Sequence, residues 1–247
     1  MIKLSVNVNK VATLRNARGG RAPSVVEAVQ ACMAAGAPGI TVHPRADRRH
    51  ITPEDVRQIA GALRMYAPSV EFNIEGDPRP DLLDLVEEIR PDQFTLVPVV
   101  AGEITSQAGW QPGPATEQLP EVVGRLRGMG IRVSLFVDAQ DDPVRWAASI
   151  GADRVELYTE PFARAFEQGP DLARRSFAHY ADIARLAHSL GLGINGGHDL
   201  DSGNLLIFRS LPFLAEVSIG HAIISRALFT GLATAVEEYL QVLRGSS

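Results

Sequence analysis

Four of the six histidines in this chain sit beside arginine or glycine. His43 lies in His43-Pro-Arg45, His50 follows Arg48-Arg49, His198 follows Gly196-Gly197, and His221 follows Gly220. An imidazole titrates near pH ~6.5, so small shifts let it give or take protons at neutrality. Arginine offers a planar fork for phosphate or carboxylate, and glycine lets backbone N–H groups approach an oxyanion closely. Together these residue types suit proton transfer on small phosphorylated molecules. Asn7, Asn9, Lys10, Arg15 and Arg18 follow one apolar run, while Glu71 and Glu156 lie within two others.

These residues need a scaffold that gathers them. Strand-like apolar runs recur at 4–7, 40–43, 70–73, 93–97, 132–137, 154–158, 193–195 and 216–219, each followed by a helix-like segment. Near-continuous apolar runs fit parallel strands covered on both faces. Ser24 with Glu27, Thr52-Pro53 and Asp142-Pro143 read as helix starts. Leu228, Leu232, Ala235, Tyr239 and Val242 share one face of a last helix at helical spacing. Gly36, Gly130, Gly151 and Gly191 each stand between a helix-like segment and a strand, where glycine accepts the left-handed conformation that ends a helix. Eight such units predict an α/β fold, a TIM (β/α)8 barrel in a single domain over 1–247. An open doubly wound sheet is the structural alternative. A barrel carries its active site at the C-terminal ends of its strands, which is where the four histidines fall. The least regular stretch, 98–114, reads as a lid after the fourth strand.

Bulk composition narrows the function. Across 247 residues the net charge is −5, which lacks the basic surplus that nucleic-acid binding uses. Lys3 and Lys10 are the only lysines, so a Schiff base through a lysine inside the barrel is disfavoured. Cys32 stands alone, which removes an internal disulfide framework. No apolar run approaches the ~18 residues that span a bilayer, and Met1-Ile-Lys-Leu-Ser5 lacks a signal-peptide core, so the cytoplasm is the expected location. No Gly-x-Gly-x-x-Gly follows a strand, leaving a dinucleotide site without support. His43, His198 and a carboxylate could form a three-ligand metal site, although no His-x-His or His-Glu-x-x-His spacing occurs. On the residues alone, a phosphosugar isomerase and a metal-dependent aldolase stay open.

Four stretches together resemble the pyridoxine 5′-phosphate synthase family of vitamin B6 (pyridoxine) biosynthesis. They are Val6-Asn-Val-Asn-Lys-Val-Ala-Thr-Leu-Arg-Asn-Ala-Arg18, Gly39-Ile-Thr-Val-His-Pro-Arg-Ala-Asp-Arg-Arg-His-Ile-Thr52, Ile194-Asn-Gly-Gly-His-Asp-Leu200 and Ile219-Gly-His-Ala-Ile-Ile-Ser-Arg-Ala227. The resemblance implies a transferase that condenses 1-deoxy-D-xylulose 5-phosphate with 3-amino-2-oxopropyl phosphate, releasing phosphate and water, without cofactor or metal. It implies that His43 and Glu71 are general bases and that His198 is a proton donor. Asn7, Arg18, Gly220 and His221 are expected at the amino-ketone phosphate, and Arg45, His50 and Thr105 at the deoxyxylulose phosphate. Asn9, Lys10 and Asp199 complete the expected substrate contacts. The family further implies a homo-octamer built from dimers, with small phosphorylated substrates and neither nucleic acid nor membrane as partners. Two departures stand out: Asn9-Lys10 replaces the family's Asp-His, and Glu160 follows Thr159 where glycine is usual. A non-catalytic barrel that binds a phosphorylated B6 intermediate is a further alternative.

Overall fold

The computed structural model describes residues 1–100 and 106–245. The chain runs through β1 (Lys3–Asn7), α1 (Asn9–Asn16), α2 (Val25–Ala34), β2 (Gly39–Val42), α3 (Pro53–Leu63), β3 (Glu71–Gly76), α4 (Pro80–Ile89), β4 (Gln93–Leu96) and α5 (Leu119–Gly128). It continues through β5 (Arg132–Val137), α6 (Asp141–Ser149), β6 (Arg154–Tyr158), α7 (Glu160–Glu167), α8 (Pro170–Ser189), β7 (Gly193–Gly197), α9 (Leu205–Phe208), β8 (Leu214–Ile219), α10 (His221–Thr230) and α11 (Leu232–Arg244). All eight strands pair in parallel and in chain order, and β1 closes the barrel against β8. The doubly wound alternative is therefore excluded.

Local chemistry sets the element ends. Thr52 accepts from the Asp55 amide while Asp55 reaches back to Thr52, a capping box ahead of Pro53. Ser24 Oγ accepts from the Glu27 amide. The four glycines expected past helix ends adopt φ between +81° and +87°. Three expected boundaries are corrected. α6 starts at Asp141 rather than after an Asp142 cap. The expected last helix is two, broken at Gly231 (φ +83°), which leaves Leu228 on α10 and 69% exposed. The third strand does not stop at 73 but runs to Gly76, with Ile74 and Glu75 buried.

Strand side chains alternate between the two faces. The outer face is apolar: Leu4, Val6, Ile40, Val42, Phe94, Leu96, Val133 and Leu135 are fully buried under the helices. The inner face is polar, unlike the branched aliphatic filling common in such barrels. Ser5 Oγ and Thr41 Oγ1 lie 2.6 Å apart, Asn73 donates to Thr41 at 3.2 Å, and Thr95 donates to Asn73 at 3.0 Å. Buried hydroxyls and amides thus satisfy one another across neighbouring strands.

The N-terminal floor is ionic. Glu71 pairs with Lys3 (3.3 Å) and Arg132, and Arg154 lies 3.9 Å from Glu216. Burial, then the charge of Glu71, pushes the Glu216 carboxyl up to about 8. A carboxyl raised in the folded state stabilises below its unfolded value and loses that contribution as pH rises through the folded one. The melting temperature should therefore fall between about pH 5 and pH 8. Glu216→Gln, which mimics the protonated acid, should flatten that fall. An unchanged slope in differential scanning fluorimetry would refute this assignment.

Candidate active site

A cavity of about 540 Å³ opens at the C-terminal mouth of the barrel. It gathers most residues singled out in the sequence. Asn7, Asn9, Lys10, His43, Arg45, His50, His198, Asp199, Gly220 and His221 all line it.

Glu71, Arg18 and Arg15 lie outside the cavity lining. Glu71 does not reach the cavity. It is the first residue of β3, tied to Lys3 and Arg132 at the barrel floor. Four residues further along the same inward face, about 13 Å up the strand, stands Glu75, which does line the cavity. The carboxylate expected at the mouth is thus Glu75. Arg18 is exposed in the turn after α1 and lies outside the cavity lining. Arg15, read with it as a second arginine of the rim, is consumed by a two-pronged contact with Asp55, 2.5 and 2.9 Å. Thr105 lies outside the described residues, as does part of the expected lid. The return limb of that loop is anchored: Gly109 and Gln111 donate to Asp138 at 3.0 and 2.8 Å, and the Trp110 ring nitrogen donates to the Leu96 carbonyl at 3.0 Å.

One flank of the cavity is built around His43. Asn9 Oδ1 accepts the His43 backbone N–H at 2.9 Å, and Asn7 Oδ1 accepts the Asn9 N–H at 3.0 Å. Asn9 therefore needs only an acceptor oxygen, which Asp would also supply. His43 Nδ1 lies 4.0 Å from Glu75 Oε2. That carboxyl is held by Asn7 Nδ2 at 3.4 Å and by the Ser218 hydroxyl at 3.3 Å. Burial pushes Glu75 up to about 7. Burial, then the nearby His50, Arg45 and Arg79, pushes His43 down to about 3. At neutral pH the imidazole is uncharged and the carboxyl shares its population between acid and base. Below them Glu156 is fully buried, raised well above the ordinary range by burial and by Glu75 and Glu216. The rise favours its protonated form, and Oε2 is unpartnered among the described residues.

Beside His43, Lys10, Arg45 and Arg49 form a cationic wall that also holds His50. Burial, then Arg45 and Lys10, lowers His50 to about 4, so it is a neutral hydrogen-bonding group at pH 7. Its backbone carbonyl is held by Asn16 at 2.9 Å. The buried nitrogens His43 Nε2 and His50 Nδ1 have no partner among the described residues.

The opposite wall carries His198, Asp199 and the start of α10. His198 Nδ1 and Asp199 Oδ2 lie 2.9 Å apart. Gly220, His221 and Ala222 bring the N-terminus of α10 to the cavity, where free amides and the helix dipole favour an anion. A Cβ on Gly220 would stand 2.9 Å from the Asn7 carbonyl oxygen, which explains glycine there. Gly196 and Gly197 have a different task from the anion contact expected of them. They belong to β7, and a Cβ on Gly197 would meet Glu156 Oε1 at 2.1 Å. Those glycines make room for Phe208 and Glu156. Glu156, singled out on the sixth strand, does line the cavity, whereas sequence reasoning missed Glu75, Arg49, Ser218 and Asn204. Strand parity would have found Glu75, once β3 was extended. Among the described residues, no three His, Cys, Asp or Glu side chains are grouped to hold a metal ion.

The description "Pyridoxal phosphate biosynthesis protein PdxJ" belongs to a family model that matches residues 4–245. "Pyridoxine 5′-phosphate synthase" of Bacteroides thetaiotaomicron is 50% identical over 245 residues, covering 99% of this chain and 100% of that one. The protein of the same name from Xanthomonas oryzae pv. oryzae is 50% identical over 253 residues, covering 99% and 98%. Phosphoribosyl anthranilate isomerase from Thermotoga maritima superposes over 100% of both chains with TM-score 0.62 at 13% identity, a likeness of fold alone.

Proposed function

Because the chain belongs to the pyridoxal phosphate biosynthesis protein PdxJ family, we propose that it is a pyridoxine 5′-phosphate synthase. It condenses 1-deoxy-D-xylulose 5-phosphate with 3-amino-2-oxopropyl phosphate to pyridoxine 5′-phosphate, phosphate and water. What supports this at the site is one cavity with Lys10, Arg45 and Arg49 on one wall, the α10 N-terminus on the other, and His43, Glu75 and His198 in the same lining. Lys10, Arg45 and His50 take the deoxyxylulose phosphate, with Arg49 as an added cation. Gly220, His221 and the α10 N-terminus take the amino-ketone phosphate, with Asn7 and Asp199 orienting its polar groups. Asn9 fixes the His43 backbone.

The substrate's own amine is the nucleophile, adding to the ketone carbon of the deoxyxylulose phosphate. Loss of water from the adduct gives an imine. Proton transfers beside it, departure of phosphate, aldol-type closure and further dehydration complete the aromatic ring. Glu75, close to neutrality in its titration, and neutral His43 accept the carbon- and nitrogen-bound protons. His198 donates to the departing groups, and Glu156, whose burial favours the protonated form, stands at the cavity floor as a second proton source.

Assembly as a homo-octamer goes with this reading. α10 packs on α1, and Leu14 (53% exposed), Leu228 and Phe229 (86%) offer a second copy apolar surface on these helices. No described helix is long and apolar enough to cross a membrane, and phosphorylated substrates agree with a cytoplasmic site of action. Purified protein given both substrates, without added metal, should form pyridoxine 5′-phosphate, followed by its absorbance and mass. Folded protein that forms no product would overturn the reading.

A further inference from the structure

Where β7 ends, the backbone adopts a conformation that calls for support. His198 has φ +84° and Asp199 has φ +59°, two consecutive non-glycine residues in the left-handed region. Such residues persist only where their surroundings over-determine them. The cavity-facing imidazole thus stands on the first residue of a strained pair.

The supports come from outside the pair. Thr159, fully buried at the end of β6, places Oγ1 2.7 Å from the Gly197 carbonyl oxygen and within hydrogen-bond reach of the His198 carbonyl oxygen. Its backbone N–H also donates to Gly197 O at 3.0 Å. A threonine hydroxyl has one proton, so it is shared between the two carbonyls on either side of the bend. Asn204 Nδ2 then donates to the Asp199 carbonyl at 3.0 Å, and Asn204 is itself fixed by Asp201. The Tyr158 ring meets the His198 imidazole edge-on, with centroids 5.0 Å apart.

We propose that Thr159 is a positioning residue for His198: its shared hydroxyl proton locks the left-handed bend that presents the imidazole to the cavity. This rests on the reading of His198 as proton donor. Thr159 is buried and does not line the cavity, so its effect passes through the bend that carries His198.

The test compares Thr159→Val, Thr159→Ala and Thr159→Ser in steady-state assays, each with a melting curve. Valine keeps the volume and removes the hydroxyl, alanine removes both branches, and serine keeps the hydroxyl. Valine and alanine should lower kcat by about 10–50-fold with KM for either substrate changed less than about threefold, and serine should stay within about threefold of the parent. Thr159→Ala added to His198→Gln should slow turnover no further than His198→Gln alone, because the group being positioned is gone. A structural role would instead slow both backgrounds equally. If the valine variant fails to melt cooperatively, the alanine–serine comparison decides. Parental kcat in Thr159→Ala, serine as slow as alanine, or additive losses in the double variant would overturn the proposal. Parental turnover in His198→Gln would instead sink the proton-donor reading beneath it.

Discussion

Glu75→Gln should lower kcat by about 10²–10⁴-fold, the range for loss of a general acid–base group. The amide keeps the shape, its oxygen still accepts from Asn7 and its nitrogen donates to the Ser218 hydroxyl, but it cannot take up a proton. The pH profile carries the sign. With the carboxyl raised to about 7 by burial, the fraction able to act as a base grows as pH rises through neutrality. The parent kcat/KM should therefore climb towards a plateau above about pH 7, a limb that Glu75→Gln lacks. His43, held down to about 3, stays uncharged over this range and contributes no limb there. Glu71→Gln is the control. It should leave kcat within about threefold while weakening the floor, where Lys3 and Arg132 lose their partner. Lys3 is 51% and Arg132 28% exposed, so solvent screens the loss, and the cost should be about 1–2 kcal/mol rather than that of a fully buried pair. The opposite outcome, slow Glu71→Gln and normal Glu75→Gln, would return the basic role to Glu71.

The contrast between these two glutamates shows what the sequence could convey. The eight strands, their parallel order and the four glycine helix ends were legible because each rests on a local signal: apolar runs, caps and left-handed glycines. The cluster of His43, His50, His198 and His221 followed from barrel geometry, which places strand ends together. Glu75 did not follow. A carboxyl before Gly76-Asp77-Pro78 reads as the start of a turn, and hydropathy gives no sign that a barrel interior will bury it. Charge misled in the same way at Arg15, because its partner is set by tertiary contact. Asp55, forty residues away in sequence, claims Arg15. Gly196-Gly197 shows a related limit. Glycine marks close approach, but the sequence does not say whether a ligand or a neighbouring side chain approaches. Here the neighbours are Phe208 and Glu156.

That last point leads to the second large effect. Gly197→Ala should lower kcat by about 10²-fold and cost about 1–3 kcal/mol of stability, as overpacking does. The new methyl would stand 2.1 Å from Glu156 Oε1 and 3.0 Å from its Cδ, closer than any real contact. Because β6 and β7 are paired directly at Glu156–Asn195 and Tyr158–Gly197, the strands cannot part without breaking their ladder. The Glu156 carboxyl must then swing into the cavity it lines, where it occupies substrate space. Glu156→Ala alone should also be slow, since the floor loses its acid, and it leaves a void that costs stability. The double variant separates packing from chemistry. With the carboxyl removed, the Gly197→Ala methyl has room, so the two losses of stability should cancel in part, a coupling of about 1–2 kcal/mol. Turnover should not recover, because no acid has returned to the floor. Chemical denaturation of the four proteins measures the coupling, and steady-state rates measure the rest. Additive destabilisation would mean that Gly197 is glycine for a reason other than Glu156. Recovered turnover in the double variant would remove Glu156 from the proton-transfer chemistry and leave it as a filler of the cavity floor.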